Sequence, residues 1–210
     1  MSHCWNCQRE LDPAAFCPTC GKLQPRKAGA TLFDVFSLRP AVQLDVLALE
    51  ARFRELSLKL HPDRFVGQDA RERRYSLEQT TALNEAYRTL KDTTRRAFYL
   101  LKLQGLDLER EDGSTQKGMP LEFLEEVMEL RETLEGFKAR GDLSGALALG
   151  ESVQSRRSEA LGAAQVALAR RLEDAQNAAA LDEAAHALAR VRYFTRFLED
   201  VERMEEEALT

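Results

Sequence analysis

His61-Pro62-Asp63 lies between two segments that each carry the spacing of an amphipathic helix. Upstream, Leu49, Phe53, Leu56 and Leu60 recur at i, i+4, i+7 and i+11. Downstream, Thr80, Leu83, Tyr87 and Leu90 repeat the pattern. Both sets mark one face of a helix. Pro62 has no backbone donor and drives His61 out of helical backbone, so the first helix must end there. The expected product is an exposed polar loop at the tip of a helical hairpin. Read plainly, the same residues are a helix stop followed by an Asp N-cap.

The context selects between these readings. Leu32-Phe33-Asp34-Val35-Phe36-Ser37-Leu38 precedes the hairpin as a short apolar helix. Arg52, Arg54 and Lys59 lie off the apolar stripe of the helix leading into the loop. The whole resembles a J-domain, with which a co-chaperone stimulates ATP hydrolysis by an Hsp70-type chaperone. The resemblance makes His61, Pro62 and Asp63 the indispensable chaperone contacts, assisted by Arg54 and Lys59. A basic strip beside such a loop can steer an acidic partner surface. Glu50 stands where many J-domains have a basic residue, which shortens the strip. No nucleophile or second histidine lies near His61 in sequence, so it is no candidate ligand or general base. His3 and His186 are isolated, and His186 reads as a surface residue.

The chain has 210 residues, of which 44% are hydrophobic, enough for one large or two small packed domains. Alternating β-branched runs are few, and the expected class is all-α. No run of about 18 apolar residues occurs, so no membrane span is expected. The formal net charge is −5, and residues 112–210 hold all of the negative excess. That acidity argues against a nucleic-acid partner. The N-terminus has neither an apolar signal region nor an Arg-rich transit segment. The expected location is the bacterial cytoplasm, or the mitochondrial matrix if a transit peptide precedes this sequence.

Three parts are expected: a cysteine module over 1–24, a J-domain with exit helix over 31–108, and a bundle over 119–210. Polar stretches at 24–30 and 111–118 read as linkers. Helical segments over about 121–138, 143–174 and 181–207 are broken by Arg140-Gly141-Asp142 and by Asn177, and their short connections predict an antiparallel three-helix bundle.

The four cysteines follow Cys4-x2-Cys7 and Cys17-x2-Cys20, nine residues apart. Each pair can turn two thiolates toward one ion, and Pro18 and Gly21 suit such a knuckle. Four thiolates make a closed tetrahedral zinc site with no open position for catalysis. About 20 residues cannot bury enough surface to fold alone, so one structural Zn²⁺ would supply the folding energy. Iron suits the same cage. Disulfides or a redox pair are the alternatives; the absence of a secretion signal and of a βαβ context argues against them.

On the helix from Leu121, Phe123, Val127, Leu130, Leu134 and Phe137 form a core stripe. Leu121, Leu124 and Met128 fall on the opposite side, with Glu125, Glu129 and Glu132 beside them. An apolar strip edged with carboxylates predicts a partner with Lys or Arg around an apolar patch.

Three stretches narrow the resemblance: Phe33-Asp34-Val35-Phe36-Ser37-Leu38, Arg96-Ala97-Phe98-Tyr99-Leu100-Leu101, and Phe123-Leu124-Glu125-Glu126-Val127-Met128-Glu129-Leu130-Arg131-Glu132. In order, they resemble the HscB-type iron–sulphur cluster co-chaperones. The resemblance implies a J-domain followed by a bundle that binds the scaffold protein on which clusters are assembled. It carries scaffold contact to Leu124, Glu125, Met128, Glu129, Glu132 and Phe194. Glu125 departs from an apolar residue in some members. The Cys4-Trp5-Asn6-Cys7 module resembles an N-terminal extension found in a subset of that family. A J-protein for general unfolded clients and a zinc or thiol redox sensor are the competing functions.

Overall fold

The computed structural model describes residues 2–11, 15–108 and 119–209. They form two compact units, Met1–Arg96 and Ala97–Thr210. Seven α-helices dominate the described residues, with one two-stranded ladder near the N-terminus. The proposed linker over 111–118 lies outside the described residues.

In the first unit, strands β1 (Ser2–His3) and β2 (Glu10–Leu11) pair antiparallel. Phe16 and Leu23 form an isolated antiparallel bridge. This ladder was not legible in the sequence: two-residue strands carry no periodicity. Helix α1 (Leu32–Val35) opens with Thr31 and Asp34 in a capping box. Helices α2 (Val46–Leu60) and α3 (Ala70–Lys91) form the expected hairpin. Leu49, Leu56, Leu60, Leu83 and Leu90 are buried between them, and Phe53 stacks on Tyr87 with ring centroids 4.1 Å apart. The plain reading of Asp63 fails, because the N-cap of α3 is Asp69.

The stretch 24–30 is no free linker. Leu23 and Gln24 are buried, and Gln79 of α3 donates from Nε2 to the Gln24 carbonyl at 3.2 Å. The cysteine module therefore packs on α3. Helix α4 (Thr93–Leu103) begins in the first unit and continues in the second, so the expected exit helix is divided between the two. Arg96 is buried at that point, donating to the carbonyls of Val42 and Leu90.

In the second unit, α5 (Leu121–Arg140), α6 (Leu143–Glu173) and α7 (Ala178–Ala208) form the bundle, each boundary within a few residues of expectation. Gly141 ends α5 at φ 64°, the left-handed conformation that a non-glycine residue resists. Gly145 is required for a different reason: a Cβ there would lie 2.5 Å from Cε1 of Phe137. Asn177 caps α7 through its side chain. Small residues are buried on both long helices, Ala146, Gly150, Ala160, Ala164 and Ala167 on α6 and Ala180, Ala184 and Ala187 on α7, and a Cβ at Gly150 would lie 3.3 Å from Cγ1 of Val201, so small side chains let the helices approach closely.

Candidate functional site

The hairpin tip is built from the helix stop outward. His61 has ψ 129°, extended as a residue before proline should be, and Pro62 starts a single 3-10 turn, Pro62–Phe65. The carbonyl of Leu60, left without a partner by the helix end, accepts from Ser76 Oγ at 2.6 Å and Thr80 Oγ1 at 3.0 Å. Thr80 thus anchors the loop rather than merely extending an apolar stripe. Phe65 plugs the base of the turn. Above this base, the side chains of His61 and Asp63 are 58% and 86% exposed. His61 Nδ1 lies 3.5 Å from the Asp63 carboxylate and accepts from the Asp63 backbone N–H at 3.3 Å.

The basic residues of α2 are exposed but internally paired. Arg54 binds Glu50, and Arg52 and Lys59 both reach Glu55 at 2.6 Å. The donated hydrogen bonds of Lys59 and Arg52 hold the Glu55 carboxyl below its ordinary range. Glu50 therefore shortens the basic strip and also neutralises part of it.

The four cysteines converge, with their sulfurs all within 4.8 Å of one another. Each pair is set by the same local bonds. Cys4 N–H donates to the Arg9 carbonyl at 2.8 Å and Cys17 N–H to the Lys22 carbonyl at 2.9 Å. Gln8 and Gly21 each sit four residues after the first cysteine of their pair, at φ 62° and 71°. The sulfur separations of Cys4 to Cys20 and Cys7 to Cys17 are 3.6 and 3.7 Å. Zinc–sulfur bonds of about 2.3 Å in a tetrahedron set neighbouring sulfurs about 3.8 Å apart, so the cage fits a metal ion. Burial opposes ionisation of Cys4, but the backbone N–H groups of Cys7 and Asn6, together with the neighbouring Cys20 and Cys7 thiols, outweigh it and bring its thiol down to about 6. Cys7 accepts from Arg9 but is pushed up to about 11 by burial and by the neighbouring sulfurs.

A hydrogen-bonded relay ties this cage to α3. Gln24 donates to Cys4 Sγ at 3.4 Å while its own carbonyl accepts from Gln79. Buried Glu72 accepts from Lys22 Nζ at 2.6 Å and Leu23 N–H at 3.4 Å. Sequence reading missed Gln24, Glu72 and Gln79; a Glu and a Gln seven residues apart on one helix face were the available signal.

On α5, the expected division of faces is present. Phe123, Leu130 and Leu134 are buried; Val127 and Phe137 are half-buried. Leu124 is 40% and Met128 62% exposed, and Leu121, Glu125, Glu129 and Glu132 are exposed around them. None of these three carboxylates forms an ion pair among the described residues. Glu126, which sequence reading left without a role, accepts from Arg156 of α6 and Arg190 of α7, each at 2.9 Å. It clamps the strip-bearing helix to the other two.

Phe194 requires correction as a contact residue: its exposure is 0%. Its ring meets Phe123 edge-on at 6.0 Å, with Tyr193 at 5.9 Å. No partner can touch it without opening the bundle. It supports the strip from beneath, and Phe194→Ala is expected to cost about 3–5 kcal/mol of stability, read by urea unfolding. A loss below 1 kcal/mol would contradict that role.

A predominantly helical fold whose hairpin tip presents His61-Pro62-Asp63 has the architecture of a J-domain co-chaperone. Comparison with known proteins narrows the class. Residues 119–202 match the family described as the HSCB C-terminal oligomerisation domain. Over 178 residues the chain is 35% identical to the co-chaperone protein HscB homolog of Vibrio cholerae serotype O1, spanning 84% of this chain and 98% of that protein. It is also 35% identical over 131 residues to the iron-sulfur cluster co-chaperone protein HscB homolog of Arabidopsis thaliana, spanning 62% of this chain and 50% of that one. The crystal structure of human co-chaperone protein HscB superposes with a TM-score of 0.78 at 27% identity, covering 97% of this chain and 98% of that chain. The chain belongs to the HscB co-chaperone family. Among the described residues, no helix is long and apolar enough to cross a membrane.

Proposed function

We propose that this chain is a two-partner adaptor of iron–sulphur cluster maturation. His61, Pro62 and Asp63, flanked by Arg54 and Lys59, dock on a dedicated Hsp70-type chaperone and stimulate its ATPase. The strip of Leu124, Glu125, Met128, Glu129 and Glu132 holds the cluster scaffold protein. Joining both sites in one chain raises the effective concentration of scaffold at the chaperone. ATP hydrolysis takes place in the chaperone, and this chain performs no covalent step. The observation that carries the reading is an exposed His-Pro-Asp tip in a chain that also belongs to the HscB family. The name of the Arabidopsis relative supplies the iron–sulphur context. An exposed apolar strip with unpaired carboxylates supports a cationic partner over unfolded clients at large. Co-purification with the cluster scaffold tests this: the scaffold is expected in a stoichiometric complex, and equal recovery of unrelated unfolded proteins would favour the general-client reading.

Cys4, Cys7, Cys17 and Cys20 would hold one Zn²⁺ in a structural role. Four thiolates leave no coordination position open, so the ion supplies folding energy to the module and no reactivity. Convergence of all four sulfurs within 4.8 Å of one another supports one shared ion over two separate thiol pairs. The relay through Gln24 and Glu72 extends the expected effect of metal removal beyond the module. Trp5, the one tryptophan of the chain, donates from Nε1 to the Leu23 carbonyl at 2.7 Å and packs edge-on against Tyr75 of α3. Chelation is expected to shift Trp5 fluorescence to the red and to lower the melting temperature of the hairpin, because Glu72 would lose its partners in a buried setting. Unchanged fluorescence on removal of a stoichiometric metal would refute the coupling.

A further inference from the structure

Within the first unit, a groove of about 530 Å³ separates the cysteine module from the hairpin. Phe16 and Lys22 line its module side, Lys59, Arg64 and Gln68 its hairpin side, and buried Glu72 is also part of the wall. Lys59 and Arg64 flank His61-Pro62-Asp63 in the chain and line the groove, which places it next to the hairpin tip. Three observations describe what this surface can accept. A specific interface covers about 800 Å² on each partner, far more than a tripeptide offers, so a protein seated on the tip must extend onto its surroundings. Lys22 is matched by Glu72 and Lys59 by Glu55, whereas Arg64 makes no ion pair among the described residues. Phe16, half-buried, offers an aromatic face of the kind that anchors interfaces.

We propose that the cysteine module and the hairpin together form one docking surface for the Hsp70-type chaperone, with an acidic, partly apolar segment of that chaperone lying in this groove against Arg64 and Phe16. The inference rests on the assignment of the tip as the chaperone contact. It gives the module a function: the folded cage holds Phe16 and Lys22 as the second wall of the site, and the bond from Lys22 to Glu72 fixes that wall to α3.

The test uses the full-length, metal-loaded chain and steady-state ATPase of the chaperone, titrated with parent and variants. Phe16→Ala is expected to raise the concentration giving half-maximal stimulation about tenfold, as loss of a hot-spot contact worth about 1.4 kcal/mol would. Gln68 makes no side-chain bond that holds the fold: its backbone carbonyl accepts from Arg73 and its backbone N–H donates to the Phe65 carbonyl. Gln68→Glu, which adds a negative charge to the groove, is expected to raise the half-maximal concentration several-fold, and Gln68→Lys is not. Metal content is measured for every variant. If Phe16→Ala loses its ion, the comparison of Gln68→Glu with Gln68→Lys decides alone. Parental half-maximal concentrations for Gln68→Glu and for metal-loaded Phe16→Ala overturn the proposal. Asp63→Asn, run alongside, separates the two levels. If it abolishes stimulation while the groove variants behave as parent, only the groove fails. If it stimulates normally, the tip assignment fails and the groove proposal with it.

Discussion

Asp63→Asn is expected to abolish stimulation of the chaperone ATPase while leaving the fold unchanged. The Asp63 carboxylate is almost fully exposed, and the bond that shapes the turn comes from its backbone N–H to His61, not from its side chain. Asparagine keeps that donor and the side-chain shape. Surface substitutions of this kind normally change stability by no more than about 0.5 kcal/mol. What is lost is a full negative charge presented by a tip whose base is fixed by Ser76, Thr80 and Phe65. Removing one partner of a charge pair that becomes buried in a complex costs about 2–5 kcal/mol, a loss of roughly 30-fold to several thousand-fold in affinity. Steady-state ATPase assays with circular dichroism of the variant are the check. Undiminished stimulation by a folded Asp63→Asn chain would remove the basis for the chaperone contact.

Leu124→Ala combined with Met128→Ala is expected to weaken scaffold binding strongly and to alter stability little. Both side chains point away from the buried Phe123, Leu130 and Leu134 line, so truncation opens no core cavity. Central apolar anchors of an interface typically cost about 2 kcal/mol or more each on truncation, near 30-fold per residue. Glu129→Lys is expected to act differently, slowing association and changing its salt dependence, because exposed charges steer encounter more than they add affinity. Calorimetric titration with the scaffold, paired with thermal melts, distinguishes these outcomes. Normal binding by the double variant would place the scaffold surface elsewhere, and a large drop in melting temperature would identify the two residues as core. The contrast with Phe194→Ala is informative: there the fold should fail first.

Much of this molecule was legible in the sequence because its main signals are periodic or chemically specific. The stripes on α2, α3 and α5 survive as packed faces, Pro62 ends its helix where its chemistry demands, and paired Cys-x2-Cys spacing yields a converged cage. The features that escaped depend on distance in space. Phe194 is one of a line of apolar residues on α7, and nothing local indicates that it lies beneath the strip rather than within it. Glu126 differs from Glu125 by 100° of helix rotation, enough to turn one toward Arg156 and Arg190 and the other outward. The 24–30 stretch has the composition of a linker, yet Gln24 is buried because its side chain and carbonyl are satisfied by Cys4, Lys22 and Gln79. Polar residues chosen to complete a buried network cannot be told in sequence from polar residues facing water.

In the proposed adaptor, chaperone and scaffold are engaged by one chain to a common end. The most direct test is the chaperone's steady-state ATPase measured with this protein at a fixed, sub-saturating concentration, with and without the cluster scaffold. Scaffold and chain together are expected to stimulate well beyond the sum of their separate effects. The Leu124→Ala, Met128→Ala double variant should lose that synergy while retaining stimulation by the chain alone. Stimulation unaffected by the scaffold, or synergy that survives the double variant, would contradict this joint engagement.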